Sequence, residues 1–193
     1  MTVPDTRKIA KRYKEMGLQD IQILLNSKIH EERLTALLIM IEQQKKASEE
    51  KKKELYNFYL KNTKNINNWD LVDLSSRFII GEYLLNKNRE ILYKLARSES
   101  LWEKRISIIS TCAFINKNDF LDTLKISEIL LNDKHDLIHK AVGWMLREIG
   151  KKDKKTEEQF LKKHFKEMPR TMLRYAIERF PENERKAYLK GEI

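Results

Sequence analysis

Three stretches of the chain set tryptophan, carboxylate and arginine at helical spacing. In Asn67-Asn68-Trp69-Asp70-Leu71-Val72-Asp73, Trp69 and Asp73 are four apart and share one helix face, which Asp70 can join. In Leu101-Trp102-Glu103-Lys104-Arg105, Trp102 and Arg105 are three apart. Further on, Lys140, Trp144, Arg147 and Lys151 follow i, i+4, i+7, i+11 and make a cationic stripe with an indole in its middle. Each residue alone has a plainer role: a helical tryptophan is usually core, and an aspartate near a helix start is often a cap. Three tryptophans, each beside charge, exceed what a core needs. Indole faces attract cations, and a carboxylate stabilises positive charge on a sugar. The set therefore suits an electron-poor purine.

Other chemistries find less support. His30, His135, His139 and His164 lack ligand spacing with cysteine or carboxylates, apart from the i,i+4 pair His135 and His139. That pair suits solvent or phosphate, so no metal is expected. No cofactor is expected either. The single cysteine, Cys112, lies in the apolar run from Ile106 to Ile115 and reads as core; no internal disulfide can form.

The 193 residues carry 39 Lys and Arg against 29 Asp and Glu, a net charge of +10. That excess favours a polyanionic partner, though a generally lysine-rich chain would show it too. Hydrophobic residues, at 41%, suffice for a core. No apolar run approaches ~20 residues, so no membrane span or membrane partner is expected. The first ten residues contain no secretory-type hydrophobic block. The expected location is cytoplasmic and the expected state monomeric.

Apolar residues recur three and four apart with almost no alternating pattern, which predicts an all-α chain. Helices are predicted near residues 5–16, 18–26, 29–46, 48–62, 69–86, 88–96, 101–115, 118–131, 135–149, 156–166, 169–179 and 182–190. Pro4, Pro169 and Pro181 mark helix starts, and Gly17 and Gly150 mark ends. Ser100 with Glu103, and Thr156 with Gln159, have capping-box spacing, and Asp133 is a candidate N-cap. The run Glu49 to Glu54 reads as a solvated face with Glu49 opposite Lys53. Ile138, Ala141, Met145 and Ile149 form the apolar stripe of their helix. Consecutive helix pairs of roughly 35–45 residues predict a HEAT-like α-solenoid, a right-handed superhelical stack of antiparallel helix pairs with a concave basic groove. One such domain is expected over residues 1–193.

NNWDLVDLSSRFIIGEYL (67–84), LWEKRISIISTCAFI (101–115), HKAVGWMLREIGKKD (139–153) and MPRTMLRYAIERFPENER (168–185) resemble the DNA alkylation repair family, the AlkD-like DNA glycosylases. LNSKIHEERLTALLIM (25–40) resembles it as well, and the blocks fall in family order over roughly residues 18–190. The resemblance implies HEAT-like repeats clasping double-stranded DNA and removal of cationic N3- and N7-alkylpurines. It implies a site of two tryptophans, one aspartate and one arginine. Matched residue by residue, these fall on Trp69, Asp73, Arg105 and Trp144; Trp102 matches an aromatic outside that set. Lys140, Arg147 and Lys151 would touch DNA. The chain departs from active members in being N-terminally short: about two helices precede Ser27, with Tyr13 the candidate for an N-terminal aromatic. That departure keeps open a DNA-binding protein of the same stock without excision. Helical stacks also bind peptides, which keeps a scaffold in view.

Overall fold

A computed structural model describes residues 2–193, and no strand occurs among them. The chain is all-helical, of the α-solenoid class expected, and divides into two compact units, one ending at Lys87 and the other spanning Asn88–Ile193. Among the described residues, no helix is long and apolar enough to cross a membrane.

The first unit contains α1 (Val3–Arg12), α2 (Leu18–Leu25), α3 (His30–Gln44), α4 (Glu49–Lys61) and α5 (Trp69–Ser76). Every residue from Leu34 to Ile41 is buried, because α1, α2, α4 and α5 all pack on α3. A helix apolar on all sides is a core helix. The first helix begins earlier than predicted: Thr2 caps it, and Pro4 sits inside its first turn. Gly17 ends no helix but caps the start of α2. Glu49 pairs with Lys52 at 3.0 Å and Lys87 at 2.9 Å rather than with Lys53.

The helix predicted over 69–86 is not uniform. After α5 the backbone widens into a π-helical turn, Arg77–Glu82. A π turn shifts the hydrogen-bond ladder by one residue and frees a carbonyl. Gln44, 3% exposed on α3, donates from Nε2 to the Phe78 carbonyl at 2.5 Å. Removing that donor buries a lone acceptor, so Gln44→Ala is expected to lower stability by about 1–3 kcal/mol. A urea midpoint equal to the parent's would show that the carbonyl finds another partner.

The second unit contains α6 (Glu90–Ala96), α7 (Leu101–Ser110), α8 (Cys112–Ile115), α9 (Leu121–Ile129), α10 (Asp136–Gly150), α11 (Lys154–His164), α12 (Arg170–Ala176) and α13 (Glu182–Lys190). Helix α10 is its hub, packing on α7, α8, α9, α11 and α12. Ile138, Ala141, Met145 and Ile149 are fully buried, as their spacing requires, and Cys112 is buried too. Gly143 lets α10 and α12 meet: a Cβ there would lie 2.4 Å from the Met172 carbonyl oxygen and 2.6 Å from Tyr175 Cβ. Gly143→Ala must part the two helices, and is expected to lower stability by about 2–3 kcal/mol as overpacking does. A thermal midpoint at the parent's value would refute the tight crossing.

Local caps differ from the spacing-based expectations in two places. Asp153, not Thr156, caps α11, accepting from the Thr156 amide at 3.1 Å; Thr156 is already inside the helix. His135, not Asp133, caps α10, accepting from the Leu137 amide at 3.1 Å on Nδ1. Asp133 instead folds the turn before it, accepting from the His135 amide at 2.8 Å and pairing with Lys104 at 2.9 Å. Ser100 caps α7 as its spacing suggests. The helix predicted over 101–115 breaks at Thr111, where the hydroxyls of Ser107, Ser110 and Thr111 each donate back to a carbonyl of the preceding turn. Such back-bonding bends helices.

Candidate functional site

In the first unit, Trp69 and Asp73 lie one turn apart on α5. Trp69 is 53% exposed, and Asp73 is half-buried. Helix α5 packs on α3, and partners on α3 and α4 hold it. From α4, the buried Tyr59 hydroxyl meets Ser75 Oγ at 2.9 Å. Ser75 spends its own proton on the Leu71 carbonyl, at 2.5 Å, so Tyr59 is the donor. Burial raises the Tyr59 pKa, and the negative charge of Asp73 raises it further, so the phenol stays neutral beside that carboxylate.

From α3, His30 Nε2 meets Asp70 Oδ2 at 2.7 Å. A carboxylate only accepts, so Nε2 carries the proton. The other Asp70 oxygen accepts from the Leu71 amide at 2.9 Å. Both Asp70 oxygens thus take part in structural bonds. The approach to α5 is held by amides: Gln22 Nε2 donates to Asn26 at 2.8 Å and Asn62 at 2.7 Å, and Asn65 donates to Asn26 at 2.9 Å.

In the second unit, the remaining candidates lie on α7 and α10. Arg105 is 4% exposed and donates to the Leu137 carbonyl in the first turn of α10. The guanidinium thus ties α7 to α10, and its charge reaches Lys140. Trp102 is half-buried in the first turn of α7. Trp144 is half-buried, its indole Nε1 donating to Glu148 Oε1 at 2.9 Å, which fixes the ring.

Lys140, Arg147 and Lys151 do not stand as bare cations. Lys140 pairs with Asp136 at 2.7 Å, Lys151 with Glu148 at 2.6 Å, and Arg147 with Glu178. The bond to Asp136 raises the Lys140 pKa, and the same bond lowers that of Asp136. Partly exposed pairs such as those of Lys140 and Lys151 contribute little stability. His139 meets the Asp133 carbonyl at 2.5 Å, and His135 is exposed and caps α10 through Nδ1, so both also brace the turn before α10. No group of three metal-ligating side chains occurs among the described residues.

Sequence reasoning left out Tyr59, Gln44 and the amide cluster, and weighed His30 only as a metal ligand. The density of asparagine between Asn62 and Asn68 was visible, but which amides meet depends on α2.

Comparison with known proteins adds the family. A solved structure described as a predicted DNA alkylation repair enzyme from Enterococcus faecalis matches with a TM-score of 0.76 over 94% of this chain and 87% of that one. Sequence identity is 16%, so this likeness speaks for the fold. No curated protein matches the chain. The family model described as DNA alkylation repair enzyme matches residues 1–180, and the chain belongs to that family.

Proposed function

We propose that the chain is a monofunctional DNA glycosylase that hydrolyses the N-glycosidic bond of cationic N3- and N7-alkylpurines in double-stranded DNA. Family membership supports a role in DNA repair. The observation that carries the finer reading is the exposed indole of Trp69 on the same turn-spaced face of α5 as Asp73.

Alkylation at N3 or N7 gives the purine a formal positive charge. The base then leaves readily, and little protonation is required. The remaining task is to stabilise an oxocarbenium-like sugar and to place a water on it. Asp73 supplies negative charge for the first and an acceptor for the second, as a carboxylate does in glycoside hydrolysis. Trp69 presents an electron-rich face to the developing cation. In the second unit, Trp144 is assigned a similar contact. Arg105, Lys140, Arg147 and Lys151, with Trp102, are assigned to the DNA backbone. Arg105, nearly buried and bonded to the Leu137 carbonyl, also holds the start of α10.

The cationic stripe of Lys140, Arg147 and Lys151 would serve equally a second reading, a DNA-binding protein without excision. Heavily methylated duplex DNA separates the two. The glycosylase reading expects free methylated purine in the supernatant. DNA binding that falls steeply with salt, as phosphate neutralisation requires, with no base released, would leave the second reading standing.

A further inference from the structure

Helix α5 is held at three places, and they differ in kind. Its last turn is pinned by buried groups, Tyr59 and Ser75, and the turn after it by the buried Gln44 amide on the Phe78 carbonyl. Its first turn buries Leu71 and Val72 against the core, and its polar hold is of another kind. Asn68, at the N-cap, makes no side-chain cap bond. The first turn of any helix leaves amides without intrahelical partners and frays unless something holds it. Here that something is Asp70, with one oxygen on the Leu71 amide and the other on His30 of α3.

The base of this tether is itself stiff. Ser27 Oγ accepts from the Ile29 amide at 3.0 Å, and Arg33 donates to the Ser27 carbonyl at 2.8 Å, closing the turn that leads into α3. His30 therefore offers a fixed donor, and Asp70 is the point at which α5 takes its direction from it. Trp69 precedes Asp70 directly, and Asp73 is one turn on.

We infer that His30 is a positioning residue: through Asp70 it sets the first turn of α5, and so the aim of Trp69 and Asp73. Its effect on excision rests on the glycosylase reading; its effect on the helix turn does not. A small misplacement of a reacting group costs far more in rate than in binding, so the expected loss is in the chemical step.

The test uses the full chain, a duplex bearing one 7-methylguanine, and the variants His30→Ala and His30→Gln. Glutamine places an amide donor near the position of Nε2. His30→Ala is expected to slow single-turnover base release about tenfold, with DNA affinity changed less than about twofold. His30→Gln is expected to recover most of the rate. In parallel, the Val72 amide, bonded to the Asn68 carbonyl at 3.2 Å, reports fraying of the turn by hydrogen exchange. It should exchange faster in His30→Ala and return towards the parent in His30→Gln. Unchanged exchange in His30→Ala overturns the inference, as does a rate loss that glutamine fails to rescue. Should the parent release no base, the glycosylase reading fails by itself, and the exchange measurement still decides the role of His30.

Discussion

Asp73→Asn is expected to slow single-turnover release of 7-methylguanine from duplex DNA by about 100-fold or more, the scale on which removal of one preorganised electrostatic contact acts. The substitution keeps the shape of the side chain and removes only its charge. Ground-state binding should not suffer, because the carboxylate repels phosphates and its loss slightly favours a polyanion. The predicted signature is therefore a fall in rate at equal or tighter DNA affinity. Asparagine working as fast as aspartate would remove Asp73 from the mechanism.

Glu157→Gln is expected to change stability in a way that depends on pH. Glu157 is 1% exposed on α11, and its Oε1 has no hydrogen-bond partner. Its Oε2 lies 1.7 Å from where a Cβ on Gly150 would be, so the carboxyl fills the space that this glycine leaves at the end of α10. Burial, helped by the nearby Glu158 charge, pushes its pKa up from the ordinary 4.5 to about 8, against the opposing pull of Lys154 and Arg147. Folding therefore takes up a proton between those two pH values. The stability this contributes is whole below about pH 4.5, falls through the window, and is lost above about pH 8.

One pKa unit is worth about 1.4 kcal/mol, and water drawn in around a buried carboxylate reduces the total. A loss of about 3 kcal/mol across the window is the working figure. Glutamine stays neutral throughout. The variant and the parent should melt together near pH 4, and at pH 9 the variant should melt about 6–12 °C higher for a chain of this size. An equal gap at both pH values would mean that ionisation of Glu157 does not drive the difference.

The course of the helices was legible in the sequence because each segment buries an apolar stripe at helical spacing. Ile138, Ala141, Met145 and Ile149 show it directly, all fully buried as their period demands. What escaped was whatever depends on a partner far along the chain. The π turn at Arg77–Glu82 has no compositional mark; it exists where Gln44, 34 positions earlier, can satisfy a carbonyl. The spacing of Lys140, Arg147 and Lys151 shows three cations in a stripe, but Glu178, which answers Arg147, comes from beyond α12. Capping rules pick residue types well and positions less well, since Asp133 and His135 both bond amides at the start of α10 and only geometry decides which is the cap.

The site was legible to the same limited degree. Spacing alone put Trp69 and Asp73 on one face, and the exposure of Trp69 agrees with a surface role. Spacing could not show that Arg105 turns inward to a carbonyl 32 positions later, nor that Asp70 is taken by His30.

The account rests on charge: a carboxylate eases the departure of a base that is already cationic. The most direct measurement sets two otherwise identical duplexes before the parent protein, one with a single 7-methylguanine and one with a single neutral hypoxanthine, and identifies the released base by mass. The account predicts free 7-methylguanine with an unbroken abasic strand, and hypoxanthine left in place. Release of neither base, or of both at equal rates, would contradict it.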